Sequence, residues 1–173
     1  MAPSGSGTGG AMTKKMEVVP PGYTAVTPWV VGQDTDGLMT FLAAAFGAEE
    51  ESRIAAPDGR IGHAEMRIGD AMVLMFDAPE DWPATPAFLR LYVPDADAAV
   101  YSAINAGATL ITKVTLLSFG DRVGRVRDPF GNVYWIQQRV ENVSGAEMLR
   151  RWDSPKWQEA MNYVQASLKK AVR

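Results

Sequence analysis

The sequence repeats its own pattern at a spacing of roughly 60 residues, and this duplication restricts the possible folds more than any other feature. A β-branched stretch that ends at Asp34 precedes an Ala-rich segment, and the same arrangement returns with Asp95. Further along, an Arg-X-Gly pattern at Arg60 returns at Arg122, and a Gly-led apolar stretch at 69–74 returns at 131–136. Because these points occur in the same order, we interpret the chain as two copies of one structural unit.

The residue pattern of each copy predicts one strand, one helix and then three more strands. In the first copy, apolar residues recur at helical spacing between Asp34, a suitable N-cap, and Gly47, a suitable stop. Alternating and β-branched stretches between Gly-containing turns predict the strands. The predicted elements are a strand near 24–31, a helix at 35–46, a strand ending near 56, strands 61–68 and 71–77, then a strand at 87–93, a helix at 95–107, and strands near 109–117, 122–127 and 132–139. The predicted fold class is therefore α+β, with two βαβββ modules over about residues 22–142.

This interpretation divides the chain into three parts. Residues 1–20 contain a Gly- and Ser-rich stretch without an apolar core, which predicts a disordered leader. A single domain follows at 21–142, with its modules at 22–80 and 86–142. Residues 143–173 form a helical tail.

The tail predicts two helices. Ser144 and Glu147 have the spacing of a capping box, and Ser154 with Pro155 predicts the start of a second helix. One face of that second helix carries an apolar stripe, made of Trp157, Met161, Val164 and Leu168. We expect this stripe to pack either on the body of the domain or on a partner subunit.

Composition excludes several classes of function. A net charge of −3 provides no general positive field for nucleic acid or for an anionic membrane surface. The absence of Cys excludes disulfides, thiolate zinc sites and iron–sulfur clusters, and the single His63 excludes sites that need two or three imidazoles from one subunit. No apolar run is long enough to span a bilayer and no export signal is visible, so we expect a cytoplasmic protein without a nucleic-acid or membrane partner.

Two short motifs connect the duplication to a known family. Asp128-Pro-Phe-Gly-Asn132 precedes the last predicted strand, and Phe46-Gly47-Ala48-Glu49 follows the first predicted helix. With the βαβββ duplication, they make the chain resemble the vicinal oxygen chelate superfamily, which includes glyoxalase I, bleomycin-resistance proteins, fosfomycin-modifying enzymes and extradiol dioxygenases. The similarity is greatest to the PhnB-like branch and covers about residues 22–142. It implies two modules edge to edge, whose curved mixed sheet encloses a cleft with a divalent metal.

The positions that would hold this metal carry unsuitable side chains. By motif, the first-strand positions of the two modules are Thr27 and Phe88. The last-strand position of the second module is Trp135, and its counterpart in the first is Val73, or Leu74 if the strand is shifted by one residue. Hard divalent ions require oxygen or imidazole ligands. We therefore expect neither the family metal nor another cofactor.

Strand alternation predicts which side chains line the cleft. On strand 61–68, small or apolar residues alternate with polar ones, so His63, Glu65 and Arg67 should face the cleft when Ala64 and Met66 pack under a helix. In the second module, Arg125 and Arg127 should face it in the same way, while Gly124 and Val126 pack. The predicted ligand-binding residues are Trp29, Phe88, Arg90, Arg125, Trp135 and Gln137, and the candidates for acid and base catalysis are His63 and Glu65.

Two classes of function remain open. An aromatic cleft with a few fixed polar groups is typical of a small-molecule site, which favours a metal-free protein that binds and sequesters an amphipathic or aromatic compound. The alternative is a glyoxalase-like lyase or isomerase, or another enzyme of the family, with or without a divalent metal. A cleft without a metal can also fill with side chains, in which case Trp29 and Trp135 are core residues. We expect a homodimer, because the family modules have exposed sheet edges and the tail stripe needs an apolar partner.

Overall fold

The computed structural model describes residues 16–83 and 85–171. The first 15 residues of the predicted leader therefore lie outside the described residues. Eight strands and four helices are found in this part of the chain: β1 (Trp29–Gly32), α1 (Thr35–Phe46), β2 (Glu49–Ala55), β3 (Ile61–Ile68), β4 (Ala71–Asp77), β5 (Phe88–Tyr92), α2 (Ala96–Asn105), β6 (Thr109–Leu116), β7 (Asp121–Arg127), β8 (Val133–Arg139), α3 (Gly145–Trp152) and α4 (Pro155–Ala171).

The strands form two open, four-stranded mixed sheets with the same topology. The first sheet has the order β1-β4-β3-β2 and the second β5-β8-β7-β6. In each sheet the first strand is parallel to the last one, and the other pairs are antiparallel. The predicted α+β class, with two βαβββ modules and C-terminal helices, is confirmed.

Strand β1 is shorter than the sequence predicts. It begins at Trp29 rather than near residue 24, since local hydrogen bonds occupy the preceding segment. The Thr24 hydroxyl donates to the Val26 carbonyl, and the Thr27 hydroxyl donates to the Thr24 carbonyl. Such short-range bonds compete with a sheet ladder, and Pro28 has no N–H to offer one.

The two module helices begin and end where their capping residues predict. The Asp34 carboxylate accepts a hydrogen bond from the Gly37 N–H at 2.8 Å, and Asp95 accepts from two N–H groups at the start of α2. Gly47 ends α1 with a φ of 65°, a left-handed conformation that favours glycine.

One hydrophobic core joins the two modules. The helices α1 and α2 contact each other, and the inner faces of both sheets pack against them. Tyr134 of the second sheet is fully buried against Phe41 and Phe46 of α1, with ring centroids 5.8 and 5.0 Å away. The outer face of each sheet, which we define as the face turned away from α1 and α2, is therefore the one left for binding.

The tail packs on the body of its own chain. The Ser144 hydroxyl accepts from the Glu147 N–H at the start of α3, and α4 lies against β6. Val164 of α4 is 2% exposed and forms a second small core with Leu117 and Val123. Of the two expectations for the apolar stripe, packing on the body is confirmed.

Of the helices that the structure describes, none combines the length and the apolar character that crossing a membrane would require.

Candidate functional site

Side-chain alternation places the predicted cleft residues on the outer faces. In β3, Ala64 and Met66 are buried in the core, whereas His63 and Glu65 lie on the opposite face and are partly exposed. In β7, Val126 lies in the core, and a Cβ added at Gly124 would meet Val100 of α2 at 2.9 Å. The polar members of both strands therefore turn away from the helices, and their role in lining a ligand cleft stays a prediction.

Strand register shows which positions of the two modules correspond. Trp29 is paired with Leu74, which is paired in turn with Glu65. In the second sheet, Arg90 is paired with Trp135, and Trp135 with Arg125. Leu74 is thus the counterpart of Trp135, as the shifted alternative predicts. Val73, the first choice, lies in the core.

The family's metal positions do not fit a divalent cation in this chain. Leu74, Trp135 and Phe88 have no oxygen or imidazole ligand, and Thr27 precedes the first strand, where its hydroxyl donates to a backbone carbonyl. Over residues 16–83 and 85–171, no cluster of three or more His, Asp and Glu side chains has an arrangement that could hold a metal ion. Hard cations need such clusters of oxygen or nitrogen ligands.

The outer face of the first sheet carries a row of aromatic side chains. The Trp29 ring lies edge-on to His63 and to Phe76, with centroid distances of 5.6 and 5.5 Å. Phe76 contacts Trp82 in the same manner at 5.9 Å. Trp29 is 47% exposed, and Trp82 is also exposed, so this row is open to solvent. We call these four side chains the first-sheet aromatic row.

One member of this row, His63, forms a hydrogen-bonded pair with the titratable group of Glu65. The His63 Nε2 is 2.8 Å from the Glu65 Oε1. Hydrogen bonding from the Tyr23 hydroxyl, and then from His63, holds the pKa of the Glu65 carboxyl below its usual range. Glu65 is therefore an anion that orients the imidazole, which is the arrangement of an acid–base pair. Arg67 does not pair with Glu65, because it forms an ion pair with Glu51 instead.

Part of the outer face of the second sheet, over β6 and Arg125 of β7, is covered by α4. Arg125 is only 4% exposed, and its Nη1 donates to the Val164 carbonyl at 2.7 Å and to the Thr112 hydroxyl at 3.2 Å. Its guanidinium carbon lies 3.9 Å from the centroid of the Trp135 ring. A helix of the same chain therefore occupies the part of the predicted cleft that lies over β6 and Arg125.

The other predicted ligand-binding residues are spread over the second sheet. Phe88 and Arg90 are exposed on β5, and the Arg90 guanidinium lies 5.6 Å from the Trp135 ring centroid. Gln137 is buried, and its amide donates to the Asp121 carboxylate. The structure thus brings Arg90, Trp135 and Arg125 together, whereas Gln137 is engaged elsewhere. A role in ligand binding stays a prediction for each of them.

Asp128 has a structural role. Its Oδ1 accepts from the backbone N–H groups of Phe130 and Asn132 at 2.9 and 2.8 Å. Its Oδ2 accepts from the Asn132 amide at 2.8 Å and from the Tyr134 hydroxyl at 2.9 Å. Burial raises the pKa of Tyr134, and the negative charge of Asp128 raises it further. The motif that marks the family therefore organises the last turn and the core.

Sequence reasoning did not assign two features of the outer faces. Tyr23 lies in an irregular segment, where no periodicity indicates its direction, although it influences Glu65. The second feature is Ser167, whose hydroxyl is 2.8 Å from that of Thr112 and so joins α4 to β6. It follows Val164 by three residues on the same helix face, and this spacing is the signal that could have identified it.

Comparisons with known proteins agree with this geometry. The family model of the glyoxalase/bleomycin resistance protein/dioxygenase superfamily matches residues 23–136. An uncharacterized protein of Mycobacterium bovis is 35% identical over 135 residues, which cover 72% of this chain and 89% of that protein.

Solved structures share the fold at low identity. TioX from Micromonospora sp. ML1 is 22% identical with a TM-score of 0.58, over 68% of this chain and 99% of that one. The fosfomycin resistance protein FosX from Mesorhizobium loti is 14% identical with a TM-score of 0.51, over 73% of this chain and 97% of that one. The duplicated βαβββ topology, the Asp128 turn and the match of the family model lead to one conclusion: the chain belongs to the glyoxalase/bleomycin resistance protein/dioxygenase superfamily.

Proposed function

We propose that this protein binds a small aromatic or amphipathic molecule on the outer face of its first sheet, without a divalent metal. The observation that carries the proposal is the first-sheet aromatic row, in which Trp29 and Trp82 are exposed beside the His63–Glu65 pair. Open aromatic surface with a few oriented polar groups is what recognition of such molecules requires. The protein then acts by sequestration, as a binding protein of the resistance type.

The structure supports a site on this sheet more than on its twin. On the second sheet, α4 covers Arg125, which corresponds to Glu65 and is buried. On the first sheet, Glu65 remains partly exposed. A ligand can therefore reach the first-sheet aromatic row without displacing a helix.

A panel of aromatic compounds, screened by thermal shift and confirmed by quenching of tryptophan fluorescence, tests the proposal. A confirmed ligand should bind at least roughly tenfold more weakly to Trp29→Ala, because stacking in an apolar site is lost. Trp152→Ala is the matched control, since Trp152 is an exposed tryptophan on α3. A ligand that binds Trp29→Ala and the wild type with equal affinity would place the site elsewhere.

The His63–Glu65 pair favours a second candidate, a lyase or isomerase of the glyoxalase-like class. With Glu65 ionised and hydrogen-bonded to Nε2, the imidazole has an oriented Nδ1 that can exchange a proton with a bound substrate. In this case His63→Ala abolishes turnover and leaves binding intact. If the protein only binds its ligand, the same variant alters affinity alone.

Three further properties belong to this proposal: a homodimer, a cytoplasmic location and membership of the PhnB-like branch. The argument for a dimer now rests on the exposed sheet edges alone, because the apolar stripe of the tail packs on its own chain. Sedimentation at micromolar concentration should give twice the chain mass of 18.8 kDa. A single species at the chain mass would contradict it.

A further inference from the structure

The C-terminal tail forms a cavity of its own. A space of about 380 Å³ lies between the two tail helices and the turn that joins β6 to β7. It is lined by Ser118 of that turn, by Trp152 at the end of α3 and by five residues of α4, namely Trp157, Gln158, Met161, Asn162 and Gln165. Its volume lies in the range of about 300–1,000 Å³ that is usual for small-molecule sites. Six of the seven lining residues follow residue 136, where the match of the family model ends, so the cavity belongs to the tail.

Two indole rings and a thioether form the apolar part of the wall. Trp157 already contacts two cations, since the Arg151 guanidinium carbon lies 5.1 Å and the Lys156 Nζ 4.8 Å from its ring centroid. Trp152 is 62% exposed, so its ring is accessible to a ligand. Met161 adds a flexible apolar surface. Because exposed indole rings stack on planar rings, we expect a ligand to lie against Trp152.

Three carboxamides form the polar part of the wall. Gln158, Asn162 and Gln165 follow one another at spacings of four and three residues, so they share one face of α4. The Gln158 Nε2 donates to the Trp152 carbonyl at 3.2 Å, which orients the Gln158 side chain. A carboxamide presents a donor and an acceptor side by side in one plane, and this pair matches the edge of a planar nitrogen heterocycle. None of the described residues that line the cavity carries a charge, so an uncharged ligand fits it best.

Arg151 holds the parts of the cavity together. Its Nη1 donates to the Ser118 carbonyl at 3.3 Å, which joins α3 to the turn. It also forms ion pairs with Glu141 and Glu147, and its side chain is only 14% exposed. With these partners and the contact to Trp157, the Arg151 side chain has one fixed position. The cavity is therefore preformed, which lowers the entropic cost of binding a ligand.

We propose that the tail cavity binds an uncharged, planar nitrogen heterocycle of the nucleobase class, stacked on Trp152 and hydrogen-bonded by the carboxamides of α4. A sugar fits this wall less well, because its puckered ring has neither a flat aromatic face nor a planar edge of donors and acceptors. The site lies outside both sheets and does not rest on the function proposed for the first one.

Four nucleosides (adenosine, guanosine, cytidine and uridine) are the probes, and glucose is the control compound without a planar ring. The chain has five Trp, so a proton–nitrogen NMR spectrum contains up to five indole signals, and Trp152→Phe and Trp157→Phe identify the two from the cavity. At least one nucleoside should shift these two signals saturably. Glucose should shift them at least roughly tenfold less effectively, because it cannot stack on an indole as a base does.

Variants of the two parts of the wall test the mode of binding, with the Trp157 signal as the readout. Trp152→Ala removes the stacking surface, and the double variant Asn162→Leu with Gln165→Met removes two carboxamides while it keeps similar volumes. Each should bind the best nucleoside at least roughly tenfold more weakly. Glu159→Met is the matched control, because Glu159 is exposed on α4 and does not line the cavity.

Three results would overturn the proposal: no shift of the cavity signals by any of the four nucleosides, an equal effect of glucose, or wild-type affinity in folded Trp152→Ala. The first-sheet ligand is recognised by its response to Trp29→Ala, so failure of either proposal leaves the other one standing.

Discussion

A disulfide between β6 and α4 would test how firmly the tail covers the second sheet. The Thr112 and Ser167 hydroxyl oxygens are 2.8 Å apart, and the chain has no Cys that could form another pair. Thr112→Cys with Ser167→Cys should therefore form a disulfide on oxidation, because both sulfur atoms would start close to bonding distance.

The size of the effect follows from the loop that the bond closes. The two residues are 55 positions apart. Loop-closure entropy predicts that such a crosslink stabilises the folded state by about 4 kcal/mol relative to the reduced form of the same variant. For a chain of this size, that corresponds to an increase in melting temperature of roughly 8–16 °C.

Thermal unfolding of the variant, oxidised and then with reductant, measures this difference directly. The matched control pairs Thr112→Cys with Ala166→Cys, since residue 166 is exposed and a helix turns by about 100° per residue. Equal melting temperatures for the oxidised and reduced forms, or equally complete oxidation of the control, would refute the position that the structure gives to α4.

Three further predictions concern the turn, the His63–Glu65 pair and the metal. Asp128→Ala should lower the free energy of unfolding by about 3 kcal/mol or more in urea, because the buried donors of Asn132 and Tyr134 lose their acceptor; an effect under about 1 kcal/mol would contradict this. Hydrogen bonds from Tyr23 and His63 hold the pKa of the Glu65 carboxyl in the folded state below its ordinary value of 4.5. Its contribution to stability is therefore present above about pH 4.5 and is lost as the pH falls through the lower, folded-state pKa. Glu65→Gln should therefore flatten the stability–pH curve in that acidic window, and an unchanged curve would argue against the interaction. EDTA should leave the melting temperature unchanged, and metal analysis should find no divalent ion in stoichiometric amount, because Leu74, Trp135 and Phe88 cannot coordinate one. A fall in melting temperature with EDTA that one specific ion reverses would contradict this.

The fold of each module could be predicted because it is determined by local features of the sequence, namely helix caps and side-chain alternation. Asp34 and Gly47 bound a helix by capping, and the alternation in 61–68 determines which side of β3 faces the core. The duplication then supplied the order of the elements. Strand β1 was predicted too long, since hydroxyl-to-carbonyl hydrogen bonds of Thr24 and Thr27 do not show in an apolar pattern.

The outer faces were less predictable because they depend on contacts between distant segments. The apolar stripe of α4 shows that the helix must be covered, but periodicity does not show which surface covers it. Only the folded chain places Val164 over Arg125 and so distinguishes one sheet from its twin. Similarly, the contacts from Trp29 through Phe76 to Trp82 cannot be predicted without knowing the path of the loop after β4, which contains Trp82.

The Asp128 turn has a consequence for how proteins of this family are recognised. The four hydrogen bonds that Asp128 accepts come from the turn itself and from the Tyr134 hydroxyl. The Tyr134 ring lies in the core rather than on an outer face. Selection for folding can therefore preserve this motif while the outer faces diversify. The motif therefore indicates the fold, and the function has to be inferred from outer-face residues such as those paired across β3, β4, β7 and β8.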